Sequence, residues 1–558
     1  MMFPLPVTRA VTCVALIGAF IATVSPQTWP KTRAEKTEYA ETSHYADVIQ
    51  FLRELQTAGG PVSVEILGKS AEGKEMPLVI ASYPPVSTPA EAKRSGKPIV
   101  YIQANIHAGE VEGKEAAMAI LSRLCAAGPS GLLGKIVLLV TPIYNIDGNE
   151  KFGPVARNRP EQDGPGMVGV RPNGQGLDLN RDAIKAESPE TRGVLEHVYN
   201  TWDPDVMMDL HTTDGTRHGW ELTYAPPMNP DTDPGIMHFT RDQLLPTIRR
   251  ELEQKFGMLT FDYGNVERQR GQAAQATTPA RAWYTYGEEG RYCTHYVGLR
   301  GRISILSEAT TFIPFKARVI ATDRFVTAIL EYVAAHTRQV LDLTRGADTR
   351  TIAWGLDPSK APELGIRFDF ASRGEETVLL EHPLPAGSPA PFGRPKALDK
   401  VKMPIFDRFK ATRTAKFPSA YIIPASATQA LALLNRHGIV VEKLLEPWHG
   451  TCSSFAISKL TAARAFQGHR LIDLEGTFST GDTSVAAGWY LVRTAQPMGI
   501  LAFHILEPES LDGVAAWGFL GDVLTEGRPY PILKTFEPVH AATERNSGPV
   551  LPASERTR

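Results

Sequence analysis

Cysteine is scarce: the chain has four in 558 residues, and one of them, Cys13, sits in an apolar stretch near the N-terminus. The other three, Cys125, Cys293 and Cys452, cannot all pair within one chain, which excludes a dense disulfide framework and leaves room for one bridge. Cys125, in an apolar helical segment, reads as a buried small hydrophobe and not as a redox centre. An excess of charge is missing too, since 59 basic and 61 acidic residues leave a net charge of -2, and this argues against a nucleic-acid partner. No internal repeat is evident. No apolar run reaches the ~20 residues that a membrane span needs. The nearest, Ala10 to Ala22, follows Arg9 and is trailed by small residues. It reads as a signal peptide over residues 1–26, hence an exported, periplasmic or extracellular protein with no stable membrane span after removal; an uncleaved anchor is the alternative.

What is present is ordinary globular material, 42% hydrophobic, in a chain long for one core. The segment Ala40 to Leu52 has cap residues Thr42 and Ser43 and apolar residues Ala46, Ile49 and Leu52 at helical spacing. Strands are predicted at 62–66 and 77–82, around a glycine-containing turn at 68–73. Pro98 to Ala104 and Lys135 to Pro142 are β-branched runs of strand length, and 116–121 suits a helix packed on a sheet. Strands alternating with helices imply an α/β fold, a mixed sheet flanked by helices. A helix is predicted from about Lys316 to Leu343, closing a first domain over residues 40–345. Beyond it, residues 346–558 read as a smaller, β-rich accessory region with a short helix near Thr428 to Arg436.

The chemistry gathers where apolar runs end. Ile106-His107-Ala108-Gly109-Glu110 follows the run ending at Ala104, so an imidazole and a carboxylate three residues apart sit on a strand-to-helix turn. His-x-x-Glu carries little alone. A third ligand is available at His211, which ends the apolar run Asp205 to Leu210. Two histidines and a glutamate with an open fourth position form a catalytic zinc arrangement and not a closed structural one.

These residues resemble the zinc metallocarboxypeptidase family, the carboxypeptidase A-like enzymes. The elements occur in the family's order: His107/Glu110, Asn180-Arg181, His211, and Glu308 at the end of Ile303-Ser304-Ile305-Leu306-Ser307-Glu308. The resemblance covers roughly residues 40 to 340. It implies a metallocarboxypeptidase-like fold, one Zn2+ per chain on His107, Glu110 and His211, and peptide or protein C-termini as partners. It also implies that Glu308 is the general base and acid and that Asn180 and Arg181 clamp the substrate's terminal carboxylate. An arginine of the 145–181 loop would meet the oxyanion, with Arg157 preferred over Arg159 and Arg171 left as a surface charge. Asp178 would hydrogen-bond a zinc-binding histidine. Of Tyr284 and Tyr286, in an aromatic-rich stretch, Tyr286 takes the part of the family's mobile tyrosine; His218, His238 and His295 are not needed as ligands. Two other readings stay open: a zinc amidase, deacylase or cell-wall peptide hydrolase of the same architecture, and a non-catalytic binding protein on this fold.

Overall fold

The structure, a computed structural model, describes residue 1 and residues 28–213, 215–266, 281–383 and 393–546. The stretch read as a signal peptide lies outside the described residues. No helix among the described residues is long and apolar enough to cross a membrane.

Eight strands form the central mixed sheet. Across it the strands run in the order Val62–Lys69, Glu75–Ala81, Val137–Thr141, Ile99–Ala104, Val206–Thr213, Ile303–Thr310, Leu222–Ala225 and Thr260–Asp262. The middle four are parallel to one another, and every residue of each is buried. That is the outcome expected of near-continuous apolar runs, which need cover on both faces. Helices Glu112–Ala126 and Phe315–Ala335 cover one face. Helix Cys293–Leu299 covers the other, where the Ser304 hydroxyl donates to the Thr294 carbonyl at 2.6 Å. Gly113 makes the first packing possible: a Cβ there would stand 2.7 Å from the Leu210 Cβ, so only glycine lets the helix close on the His211 strand.

The helix expected at 316–343 is two, Phe315–Ala335 and Thr337–Leu356, broken at His336. The second runs through residue 345 and packs onto helix Gly499–Leu506. Gly355 comes so close to Ala495 that a Cβ would lie 2.2 Å from its backbone nitrogen. Beyond 356, strands Glu363–Glu381 and Leu398–Lys416 form a three-stranded sheet with the short Trp283–Tyr284 from earlier in the chain, and further strands form a seven-stranded sheet that includes the hairpin Trp448–Phe466/His469–Val485. A helix occupies Thr428–Arg436. Cys125, Cys293 and Cys452 are free and buried, so none of these three forms a disulfide bridge.

Candidate active site

The site lies at the carboxyl ends of the parallel strands. Strand Ile99–Ala104 ends at Asn105, whose φ of +65° turns the chain, and the Asn105 amide donates to the Glu110 carbonyl at 3.2 Å. Asparagine tolerates this left-handed conformation better than most residues. The turn closes with Glu110 N–H donating to the His107 carbonyl at 2.9 Å. One strand over, Leu210 is level with Ala104, so His211 projects just past the end of its neighbour. Glu308 stands level with His211 on the next strand, and equal register puts both side chains on one face.

Three ligand atoms converge. His107 Nδ1 is 3.1 Å from Glu110 Oε1, His211 Nδ1 is 3.0 Å from Glu110 Oε2, and the two Nδ1 atoms are 3.2 Å apart. Each ring's other nitrogen faces a carboxylate: His107 Nε2 is 3.0 Å from Asp178 Oδ1, and His211 Nε2 is 2.9 Å from Asp209 Oδ2. With hydrogen on each Nε2, the side that faces an aspartate, both Nδ1 lone pairs would face each other and a buried carboxylate. A shared cation would reconcile three acceptors at that spacing. The donor set is the one zinc takes when a position is left open, and the aspartates are the outer partners that fix such histidines. His107, Glu110 and His211 could therefore hold a metal.

Burial alone would raise the Glu110 carboxyl, but the charges of His107 and Arg159 outweigh it and hold the group well below the usual carboxylate range. Asp178 is likewise well below that range, because His107 and Arg171 overcome the cost of burial. Burial opposes the charge on His211, and Asp209 and Glu110 more than offset it, so that its proton affinity rises. These fields keep both carboxylates ionised beside the two rings.

Around this centre opens a cavity of about 1130 Å³, whose lining includes Glu308, Asn180, Arg181, Arg171, Tyr286 and Tyr292. Glu308 is 8% exposed. Asn180 and Arg181 belong to one short turn, Leu179–Arg181, capped by Asp178, whose carboxylate accepts from the Asn180 N–H at 3.0 Å. The Asn180 side-chain Oδ1 accepts from the Cys293 N–H at 2.9 Å, and the Arg181 guanidinium lies 4.4 Å over the Tyr292 ring. Tyr286 is a buried wall residue, its hydroxyl 2.9 Å from Thr294 Oγ1 and its ring stacked on His295. Burial pushes the His295 imidazole down to about 3, so this wall is uncharged.

Residues 48–216 match the family model for zinc carboxypeptidase. The matched segment holds His107, Glu110, Asp178, Asn180, Arg181 and His211, whereas Glu308 lies beyond it. Among curated proteins, the chain is 23% identical over 485 residues to Carboxypeptidase 2 of Trichophyton tonsurans, covering 84% of this chain and 81% of that protein. It is 22% identical over 503 residues to Carboxypeptidase 2 of Trichophyton rubrum, covering 87% and 85%. Among solved structures it is similar to a metallo-carboxypeptidase from Burkholderia cenocepacia, at 18% identity and a TM-score of 0.39, over 53% of this chain and 70% of that one.

Within residues 48–216, two arginines are not where the sequence reading put them. Arg157 is exposed, donates to the Asn158 side chain at 3.0 Å and does not line the cavity. Arg159 turns behind the ligands, donating to Glu110 Oε1 at 3.3 Å and to the Thr212 carbonyl at 3.1 Å. Of the three, Arg171, read as a surface charge, is the one that lines the cavity; its side chain is 41% exposed and is held by Asp178 Oδ2 through Nε at 3.0 Å and Nη2 at 2.8 Å. The loop's lack of periodicity offered no means of choosing among the three. Tyr284, the other aromatic weighed, packs on Phe406 at 5.0 Å and is not part of the lining. Asp209 was missed although a signal existed: two residues before His211 on a strand, it must share that histidine's face.

Proposed function

We propose that the protein is a zinc-dependent exopeptidase that hydrolyses C-terminal peptide bonds. The observation that carries this reading is the convergence of His107, Glu110 and His211 within 4.8 Å, each imidazole backed by an aspartate, with Glu308 level with His211 on the adjoining strand. One zinc ion bound there would lower the pKa of water toward ~7 and polarise a carbonyl. Glu308 takes the proton of the attacking water and passes it to the leaving amine, acting as base and then as acid. Arg171, on the cavity wall and paired with Asp178, is the donor for the developing oxyanion. Asn180 and Arg181 receive the substrate's free carboxylate, for which a guanidinium's planar fork is the matching shape. Tyr286 and Tyr292 supply an aromatic wall beside it.

The division into a catalytic part, 40–345, and an accessory part, 346–558, follows the site: all the residues given roles precede 345. Export is supported by the apolar stretch Ala10 to Ala22. The test of the chemistry is Glu308→Gln. An amide of nearly the same shape cannot accept a proton, so zinc content and melting temperature stay at wild type while turnover drops by roughly 10²- to 10⁴-fold. Activity retained within a few-fold would remove Glu308 from the mechanism.

A further inference from the structure

A hairpin tip of the C-terminal region reaches the edge of the site. Strands Trp448–Phe466 and His469–Val485 are joined by Gln467 and Gly468, with φ of +49° and +84°. Positive φ at both central residues is the signature of a two-residue type I′ turn, whose first position favours Asn, Asp or Gly. Glutamine is out of place there. Its side chain explains the choice: Gln467 Oε1 accepts from the backbone N–H of Asp178 at 2.8 Å. Residues in uncommon backbone conformations persist where the surroundings hold them, and they cluster at functional sites.

Both flanks of the tip are anchored. The Arg291 guanidinium lies 5.3 Å over the Phe466 ring and pairs with Asp512 at 2.8 Å, while His469 Nε2 meets Glu187 Oε2 at 2.8 Å. The tip is thus fixed against two segments of the carboxypeptidase part, 178–187 and 288–296. Asp178 is held at three points from three directions: its N–H by Gln467, Oδ1 by His107 Nε2 and Oδ2 by Arg171. It also sets the turn that follows, because its own backbone carbonyl accepts from the Arg181 N–H at 3.0 Å.

We infer that Gln467 is a positioning residue for the metal centre and the carboxylate clamp. Through the Asp178 backbone it fixes the aspartate that orients His107 and the turn that presents Asn180 and Arg181. This rests on the site reading above, and it gives the accessory region a part in the reaction although no C-terminal side chain lines the cavity among the described residues.

The experiment compares full-length wild type, Gln467→Gly and Gln467→Glu by zinc-chelator competition, thermal melting and steady-state kinetics on a free-acid peptide at saturating zinc. Glycine suits the backbone at this position, so the melting temperature should not fall. Outer partners of metal ligands are typically worth 10- to 100-fold in affinity, and one step further out we expect Gln467→Gly to bind zinc about 3- to 10-fold more weakly. KM for the free-acid peptide should rise severalfold in parallel. Gln467→Glu keeps an acceptor at the same reach and should recover most of both losses. Wild-type zinc affinity and KM in Gln467→Gly overturn this inference alone. A loss that follows a lowered melting temperature and is not recovered by Gln467→Glu overturns it as well, since that is the mark of a merely structural contact. Wild-type protein that binds no zinc overturns the site reading, and this inference with it.

Discussion

Asp209→Asn changes one heavy atom at a fully buried point beside the candidate metal site. The Asp209 side chain is fully buried, with Oδ2 2.9 Å from His211 Nε2 and Oδ1 accepting from the Gln103 amide at 3.2 Å. Asparagine fits the same volume in two orientations, and with the Gln103 amide as it stands neither reproduces both contacts. If its oxygen faces His211, its NH2 meets the NH2 of Gln103, two donors in contact. If its NH2 faces His211, the ring must carry its hydrogen on Nδ1, the atom that points at His107 and Glu110. Either way a ligand orientation or a buried hydrogen bond is lost. Replacing such a partner typically costs 10- to 100-fold in metal affinity, or about 1.4 to 2.8 kcal/mol. Asp178 side-chain exposure is 14% against 0% for Asp209, so water can replace part of what Asp178→Asn removes, and that variant should lose less. Chelator competition near neutral pH, on variants shown by thermal melting to be folded, measures both. Asp209→Asn within twofold of wild type, or a larger loss in Asp178→Asn, would refute the argument from burial and tautomer.

Two further outcomes follow from other parts of the molecule. Arg171→Ala should lower kcat by roughly 10²- to 10³-fold, as removal of an oxyanion donor does, while Arg157→Ala stays within about twofold because that side chain is exposed; steady-state kinetics giving the reverse order would restore Arg157. Burial pushes the Glu190 carboxyl up to about 7 from 4.5, with Asp147 and Asp182 adding to it, so the folded state holds this proton more tightly than the unfolded chain does. Stability therefore falls as pH rises from about 4.5 through about 7, by about 3 kcal/mol at most. Glu190→Gln is neutral at every pH, so its melting temperature should exceed that of wild type increasingly between pH 5 and pH 8; a constant difference would show that the Glu190 carboxyl is not shifted.

The candidate metal site was legible because its residues end apolar runs, and parallel strands buried on both faces bring such ends to one edge. His107, His211 and Glu308 all have this signature, and the shared register of His211 and Glu308 follows from runs of similar length starting at Asp205 and Ile303. Arginine placement in the 145–181 loop was not legible, since a chain without period gives no face, and what selects Arg171 is the tertiary contact with Asp178. The long C-terminal hairpins also escaped reading. Residues 476–484 are glycine, serine, threonine and aspartate apart from Phe478, a stretch mostly exposed in the outermost strand of the seven-stranded sheet, and such a strand needs no alternating apolar face. The break at His336 left no mark in the apolar periodicity, because both helices keep a buried stripe across it.

The central claim is hydrolysis directed by a free C-terminal carboxylate. A matched pair of N-blocked peptides, identical except for a C-terminal acid or amide, separates it from its rivals when products are read by mass spectrometry. In the acid peptide the carboxylate pairs with Arg181; in the amide that guanidinium loses its charged partner, and truncating one member of a buried charged pair typically costs ~2 to 5 kcal/mol. The account predicts release of single residues from the C-terminus of the acid, slower cleavage of the amide by a factor of at least about 30, and a smaller gap between the two in Arg181→Ala with zinc still bound. Equal rates on acid and amide, or cleavage at internal bonds, would contradict it.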